Sequence, residues 1–169
     1  VNTPCSIILA LSLNYAKNVK FKKFVQMVTY SPYFISTIVF VGILNSIFDV
    51  RVGAIGSFVY NHFGLNVLGT PGLFSSVYVW SGVWQTVGYG AIIYIAALAG
   101  VDMEQHEAAI IDGATLLQRI RYVDLPAIMP TAVIMLILET GRILNMGYEK
   151  ILAMQNQNNL PMSEVIPTY

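Results

Sequence analysis

The sequence has little charge and almost no cysteine. Among its 169 residues, nine Lys and Arg balance nine Asp and Glu, charged residues make up 11% and hydrophobic residues 56%. Soluble domains carry about 25% charged and roughly 45–50% apolar residues, so the composition disfavours an ordinary soluble protein and a disordered one. Because there is no basic excess, nucleic acid is not an expected partner.

Cysteine and histidine are too few to build a disulfide framework or a metal centre. The single cysteine, Cys5, excludes an intrachain disulfide, and its apolar surroundings indicate an inert thiol. His62 and His106 have no second His or Cys at metal-ligand spacing, so we expect no bound metal.

Long uncharged stretches predict membrane crossings. Residues 24–48, 52–101 and 125–138 contain no Asp, Glu, Lys or Arg, and a helix needs about 20 mostly apolar residues to cross a bilayer. We therefore predict an all-α, polytopic transmembrane helix bundle, with crossings at about 24–48, 73–100 and 127–147. Residues 1–13 are apolar but too short to span, and they lack a signal-peptide start. We interpret them as a partial crossing, and residues 1–169 as a single membrane domain truncated at both ends.

Basic residues indicate the orientation. Two connections on one side of the membrane hold six of them: Lys17, Lys20, Lys22, Lys23, Arg119 and Arg121. The opposite side holds Arg51 and Lys150. The positive-inside rule therefore places residues 14–23 and 101–125 in the cytoplasm. On the outer side we expect a short amphipathic helix at residues 55–63 and a polar external loop at residues 155–161.

The second cytoplasmic connection, residues 101–126, has the clearest local pattern. Asp102 is suited to cap a helix in a capping box with Gln105. Gly113 can adopt a positive φ and form a corner. Residues 116–123 then offer a second short helix, and Pro126 suits the first turn of the next crossing. The sequence thus predicts helix, glycine corner and helix on the cytoplasmic side.

This connection resembles the EAA signature of permease subunits in binding-protein-dependent ABC importers. The signature is Glu-Ala-Ala, three residues, Gly, nine residues, Ile, one residue and Leu-Pro. The chain has Glu107-Ala108-Ala109, Gly113, Val123 in the Ile position, and Leu125-Pro126. Further stretches, at residues 24–36, 81–85, 93–100 and 145–149, resemble the carbohydrate branch of these permeases, particularly those for polysaccharides.

The resemblance implies the fold of type I ABC importer permeases and a multi-pass subunit of the bacterial cytoplasmic membrane. It implies a transport subunit, not an enzyme, whose loop is gripped by a cytoplasmic ABC ATPase dimer. The coupling residues would be Glu107, Ala108, Ala109, Asp112, Gly113, Ala114, Leu125 and Pro126. A second permease subunit and an extracytoplasmic solute-binding protein are the other implied partners. The chain has no G-x-x-x-x-G-K-[ST] motif, so ATP and Mg²⁺ are expected on the partner ATPase.

Several intramembrane polar residues are candidates for the transport path. Gln85, Tyr89 and Asn145 could contact a sugar, since amide and phenol groups hydrogen-bond hydroxyls. The aromatic residues nearby, Trp80, Trp84 and Tyr94, could line the same path or simply serve as interfacial anchors and packing residues. Glu139 and Arg142 lie three residues apart on one helix face, where they could form an ion pair or line the pore.

The cargo stays open at this point. Sugars or oligosaccharides are the expected substrates, but a peptide or amino acid permease would carry the same loop. A membrane-embedded enzyme or a channel is the alternative of a different class. An enzyme would want a His-Glu-x-x-His motif, a Ser/His/Asp set or paired intramembrane carboxylates, and the sequence has none of these.

Overall fold

The computed structural model describes residues 1–142 and 148–164, except for the side chains of Arg142 and Met162, and these ranges are helical without a strand. The α-helices are α1 (Asn2–Asn14), α2 (Val19–Tyr30), α3 (Thr37–Phe48), α4 (Gly56–Phe63), α5 (Pro71–Ala99), α6 (Met103–Ile111), α7 (Leu116–Arg119), α8 (Leu125–Arg142), α9 (Tyr148–Met154) and α10 (Leu160–Ser163). A 3₁₀ turn occupies Ser31–Phe34 and a π turn Ile120–Asp124. The chain forms two compact units: the first is Val1–Ser31 with Gln85–Asn145, and the second is Pro32–Trp84 with Met146–Tyr169.

Within the described ranges, two helices are long and apolar enough to cross a membrane, Pro71–Ala99 and the continuous Leu116–Gly141. A third span exists if Val19–Phe34 and Thr37–Phe48, which are bent at a break, count as one. The crossing expected at residues 24–48 is therefore not one kinked helix. Pro32 lacks an N–H and crowds the preceding turn, so α2 ends and α3 restarts behind Ser36, whose side chain accepts from Val39 N–H at 3.5 Å.

The first unit is held together by apolar residues from three helices. Its buried core consists of Ala10 in α1, Ala91, Tyr94 and Leu98 in α5, and Ile128 in α8. In a bilayer, packing of this kind stabilises the fold mainly through van der Waals contact between the helices. This core fixes α5 and α8 against α1 at the level where the cytoplasmic connection begins.

Two glycines of α5 permit close helix contact inside the first unit. A Cβ at Gly88 would collide with the Thr29 carbonyl of α2, and one at Gly90 would lie 2.6 Å from Ser6 Oγ of α1. The Ser6 hydroxyl donates to the Val87 carbonyl at 3.2 Å. Gly88 and Gly90 therefore form a packing surface, because small residues let helix backbones approach in lipid.

The second unit has its own core. It is made of residues from α3, the first half of α5, and α9: Phe40, Val41, Leu44, Phe74, Ile151 and Met154. The short helix expected at residues 55–63 is α4, which ends at Gly64 with a φ of 65°. Phe58 and Phe63 on that helix are 57% and 68% exposed.

The polar run at residues 155–161 is not simply an external loop. Asn159 is fully buried, and its amide donates to the Leu68 and Met154 carbonyls, each at 3.1 Å. Asn156 donates to the same Leu68 carbonyl at 3.0 Å. The polarity of this run satisfies backbone carbonyls inside the second unit, since buried polar groups need partners.

Candidate functional site

The cytoplasmic connection begins with a capped helix. The Asp102 carboxylate accepts from the Glu104 N–H at 3.1 Å and so caps α6. The capping box lies elsewhere, at Thr115, whose N–H and hydroxyl both donate to Gln118 Oε1, at 2.7 and 2.8 Å. A side chain at the N-terminus of each helix thus fixes where that helix begins.

Gly113 makes the corner between these helices. Its φ is +76°, which L side chains rarely adopt. Before the corner, Glu107 and Ala108 are exposed and Ala109 is half-buried; after it, Ala114 is half-buried. The expected order of helix, glycine corner and helix is the one observed.

The second helix of the connection does not end before the next crossing. α7, the π turn and α8 form one continuous helix, Leu116–Gly141. Pro126 has no N–H to continue the α-helical ladder, and its ring would crowd the carbonyl four residues earlier. The chain widens instead: Leu125 donates to the carbonyl of Ile120, five residues back. Pro126 thus lies in the first turn of α8, as predicted, and the same helix continues back through the π turn to Leu116 without a break.

A buried carboxylate lies at the base of this loop. Asp124 has no exposed surface, and its Oδ2 accepts from the Tyr15 hydroxyl at 2.5 Å. On the other side, His106 Nε2 of α6 lies 3.4 Å from Asp124 Oδ1. The Arg119 guanidinium lies over the Tyr15 ring at 5.9 Å from its centroid. We call these four residues the Asp124 cluster, and it ties the end of α1, α6 and the π turn together.

The electrostatics of the cluster favour a protonated phenol. Burial raises the pKa of Tyr15 to about 12, and its hydrogen bond to Asp124 and the carboxylate charge add to the effect. Sequence reasoning missed the cluster because Tyr15 and Asp124 are 109 residues apart. His106, examined as a metal ligand, faces this carboxylate, and within the described ranges no group of three or more His, Cys, Asp or Glu could hold a metal ion.

The exposed surface of the loop carries apolar as well as charged side chains. Ile111, Leu117 and Tyr122 are 85%, 76% and 71% exposed. An open groove continues beside them, lined by Leu117, Ile120, Arg121, Leu125, Pro126 and Met129. Exposed apolar side chains grouped beside charges are typical of a protein interface.

The candidate path residues are only partly placed together. Gln85 is half-buried and Tyr89 is 43% exposed, one helical turn apart on α5, whereas Asn145 lies outside the described residues. Tyr94 is only 2% exposed and belongs to the core of the first unit. Glu139 is half-buried; the side chain of Arg142 lies outside the described residues.

Lys150 in the second unit has surroundings that the sequence did not indicate. Its ammonium donates to the Tyr78 carbonyl at 3.3 Å and lies 5.3 Å from the Phe40 ring centroid and 5.0 Å from that of Tyr78. Burial lowers the pKa of Lys150 to about 8. From the sequence Lys150 was only a basic residue on the outer side.

These features together define a class of protein, a polytopic α-helical membrane subunit with an exposed helix–glycine–helix loop. Residues 2–148 match the family of binding-protein-dependent transport system inner membrane components. The chain belongs to this family, which confirms the predicted permease fold, the membrane localisation and the assignment to transport subunits, not enzymes.

Similar proteins agree with the family. Protein LplB of Bacillus subtilis (strain 168) is 36% identical over 168 residues, which are 98% of this chain and 53% of LplB. The polygalacturonan/rhamnogalacturonan transport system permease protein YteP of the same organism is 35% identical, over 98% of this chain and 52% of YteP. The solved structure of a bacterial alginate ABC transporter, in complex with alginate pentasaccharide-bound periplasmic protein, matches with a TM-score of 0.91 and 30% identity. That match covers 99% of this chain and 59% of the other, and the chain spans about half the length of the curated relatives it matches.

Proposed function

We propose that this chain is part of a permease subunit of an ATP-driven importer for oligosaccharides. The observation that carries the proposal is the exposed helix–glycine–helix loop, which bears the spaced motif from Glu107 to Pro126 and continues without a break into α8. A rigid continuation of this kind suits the transmission of motion from a cytoplasmic partner to a membrane span.

The proposed cytoplasmic partner is an ABC ATPase dimer, which would hold the ATP and Mg²⁺. It would receive the exposed face of the loop, with Glu107 facing a basic residue and Ala108 and Ala109 permitting close approach. Asp112, Gly113 and Ala114 would set the corner, while Leu125 and Pro126 would join the loop to the membrane. Closure of the ATPase pair would then tilt α8 and, through the Asp124 cluster, shift the end of α1.

The proposed substrate is a carbohydrate. YteP is named for polygalacturonan and rhamnogalacturonan transport, and the matched structure is an importer of alginate with its periplasmic binding protein. We extend both features to this chain, together with a second permease subunit. Gln85, Tyr89 and Asn145 are proposed contacts along the sugar path, and Glu139 with Arg142 a structural ion pair.

Cysteine crosslinking tests the docking. In the full-length permease, expressed with its partner ABC ATPase and with Cys5 replaced by Ala, Ile111→Cys and Leu117→Cys should crosslink to the ATPase. Val52→Cys is the matched control, because Val52 is 87% exposed but belongs to the outer side. Capture of the ATPase at Val52, or none at Ile111 and Leu117, would contradict the proposal.

A further inference from the structure

The second unit holds a cation that is surrounded by rings and has no acidic partner. Among the described residues the one salt-bridge contact is between His106 and Asp124, so no carboxylate there pairs with Lys150. One of its three ammonium N–H groups is donated, to the Tyr78 carbonyl, which also accepts from the Ser81 hydroxyl at 3.1 Å. A partly buried ammonium with donors to spare is a site for an anionic group.

The surroundings of Lys150 fix the ammonium in place. Phe40 of α3 and Tyr78 of α5 lie on it within cation–π distance. Gly82, one turn after Tyr78, has no side chain to cover it: a Cβ there would lie 3.4 Å from Nζ. The ammonium therefore rests against bare helix backbone, with aromatic rings at its sides.

Aromatic surface continues from this point. Trp84 packs on Phe40 with 5.4 Å between ring centroids, and it is 46% exposed. Beside it an apolar groove of about 340 Å³ is lined by Leu44, Phe48, Ser76, Val77, Trp80, Ser81 and Trp84. A sugar presents an apolar C–H face and polar edges, and it needs both flat apolar surface and a few placed polar groups.

We infer that Lys150 is a specificity residue that selects sugars bearing a carboxylate, with the sugar face on the exposed ring of Trp84. This inference rests on the proposed function and narrows its substrate to acidic oligosaccharides. A neutral sugar would leave the ammonium desolvated without an opposite charge, so the site discriminates by charge. The chain order agrees with this inference, because Lys150 follows the end of α8 that is farther from the loop. That end lies on the side of the membrane where the substrate would arrive.

The ammonium has to be charged for this role, which gives a pH dependence. The titratable groups near it are the Tyr78 phenol on α5 and Glu149 on its own helix; α3 contributes the uncharged Phe40. Glu149 is exposed and not paired with Lys150. Since burial lowers the pKa of Lys150 to about 8, recognition of a carboxylate should weaken as the pH rises above that value.

The test compares charged and neutral trisaccharides with the complete importer in proteoliposomes of neutral lipid. We expect initial uptake of trigalacturonate to exceed that of maltotriose, and Lys150→Met to reduce trigalacturonate uptake about tenfold with maltotriose changed less than twofold. Lys150→Arg should keep most of the uptake. Arg51→Met, which removes an exposed cation from the same side, should leave both sugars unchanged.

Several results would overturn the inference. One is a preference for maltotriose, and another is an equal loss of both sugars in Lys150→Met. If the Lys150→Met effect appears only in vesicles with anionic lipid, the ammonium binds a lipid phosphate instead. Should that variant fail to assemble, wild-type trigalacturonate uptake must fall between pH 7 and pH 9 while maltotriose uptake does not, or the inference is wrong. Absence of any sugar uptake together with absence of a bound ATPase would refute the proposed function itself.

Discussion

The two units each bury a charged side chain, and they treat it in opposite ways. In the first unit Asp124 has no exposed surface and lies between a phenol and an imidazole. In the second unit Lys150 keeps two rings and one carbonyl as neighbours, with no opposite charge among the described residues. The buried Asp124 has its partners in place and joins helices. The partly buried Lys150 has no opposite charge beside it and is free to bind an anionic ligand.

Removing the paired charge should produce the largest effect. Asp124→Ala leaves the Tyr15 hydroxyl without its acceptor and removes the carboxylate that faces His106, so we expect a loss of about 3 kcal/mol in stability. Asp124→Asn keeps one oxygen for Tyr15 and should lose less. Thermal unfolding of the purified importer measures both, and equal stability of Asp124→Ala and wild type would show that the cluster does not join the helices.

Substitution of the corner glycine should distinguish a loss of stability from a loss of coupling between ATP hydrolysis and transport. Gly113→Ala forces a side chain to a φ of +76°, at a cost of about 1–2 kcal/mol. Gly64→Ala, at a φ of 65° in the second unit, is the matched control and should be destabilised to a similar extent. Only Gly113→Ala should lower the number of sugars imported per ATP hydrolysed; a similar fall in Gly64→Ala would mean that general destabilisation explains both.

Removing the unpaired charge should have the smallest effect on stability. Lys150→Met keeps an apolar chain against the two rings and removes a desolvated ammonium, so we expect a change below about 1 kcal/mol at pH 7. The lowered pKa of Lys150, about 8 against an ordinary 10.5, means that the native state binds fewer protons than the unfolded state between those values. Wild-type stability should therefore rise relative to Lys150→Met as the pH passes through this window. A large loss in Lys150→Met at pH 7 would place Lys150 among the structural charges.

The sequence predicted what depends on neighbouring residues. Asp102 was expected to cap α6 and Gly113 to turn the chain, and both do so, because caps and positive φ values are set within a few residues. The family resemblance lay in the spacing of the loop, which is again a local property.

What the sequence did not predict depends on residues far apart. The bond between Tyr15 and Asp124 joins positions 109 residues apart, and nothing near either residue indicates the other. Asn159 was expected in an external loop because polar runs usually lie there, yet its amide donates a hydrogen bond to the Leu68 carbonyl. The environment of Lys150 arises from rings on α3 and α5, so only the folded chain could show it.

The π turn at Ile120–Asp124 also explains why the number of residues between Gly113 and Pro126 matters. Each residue in a helix rotates the chain by about 100° around the helix axis and advances it by about 1.5 Å along that axis. Deleting or inserting one residue in this stretch would rotate the whole cytoplasmic corner about the α8 axis by that angle. The extra residue of the π turn thus sets the direction in which the corner points around the α8 axis. The spacing of the motif is therefore as much a part of it as the residues themselves.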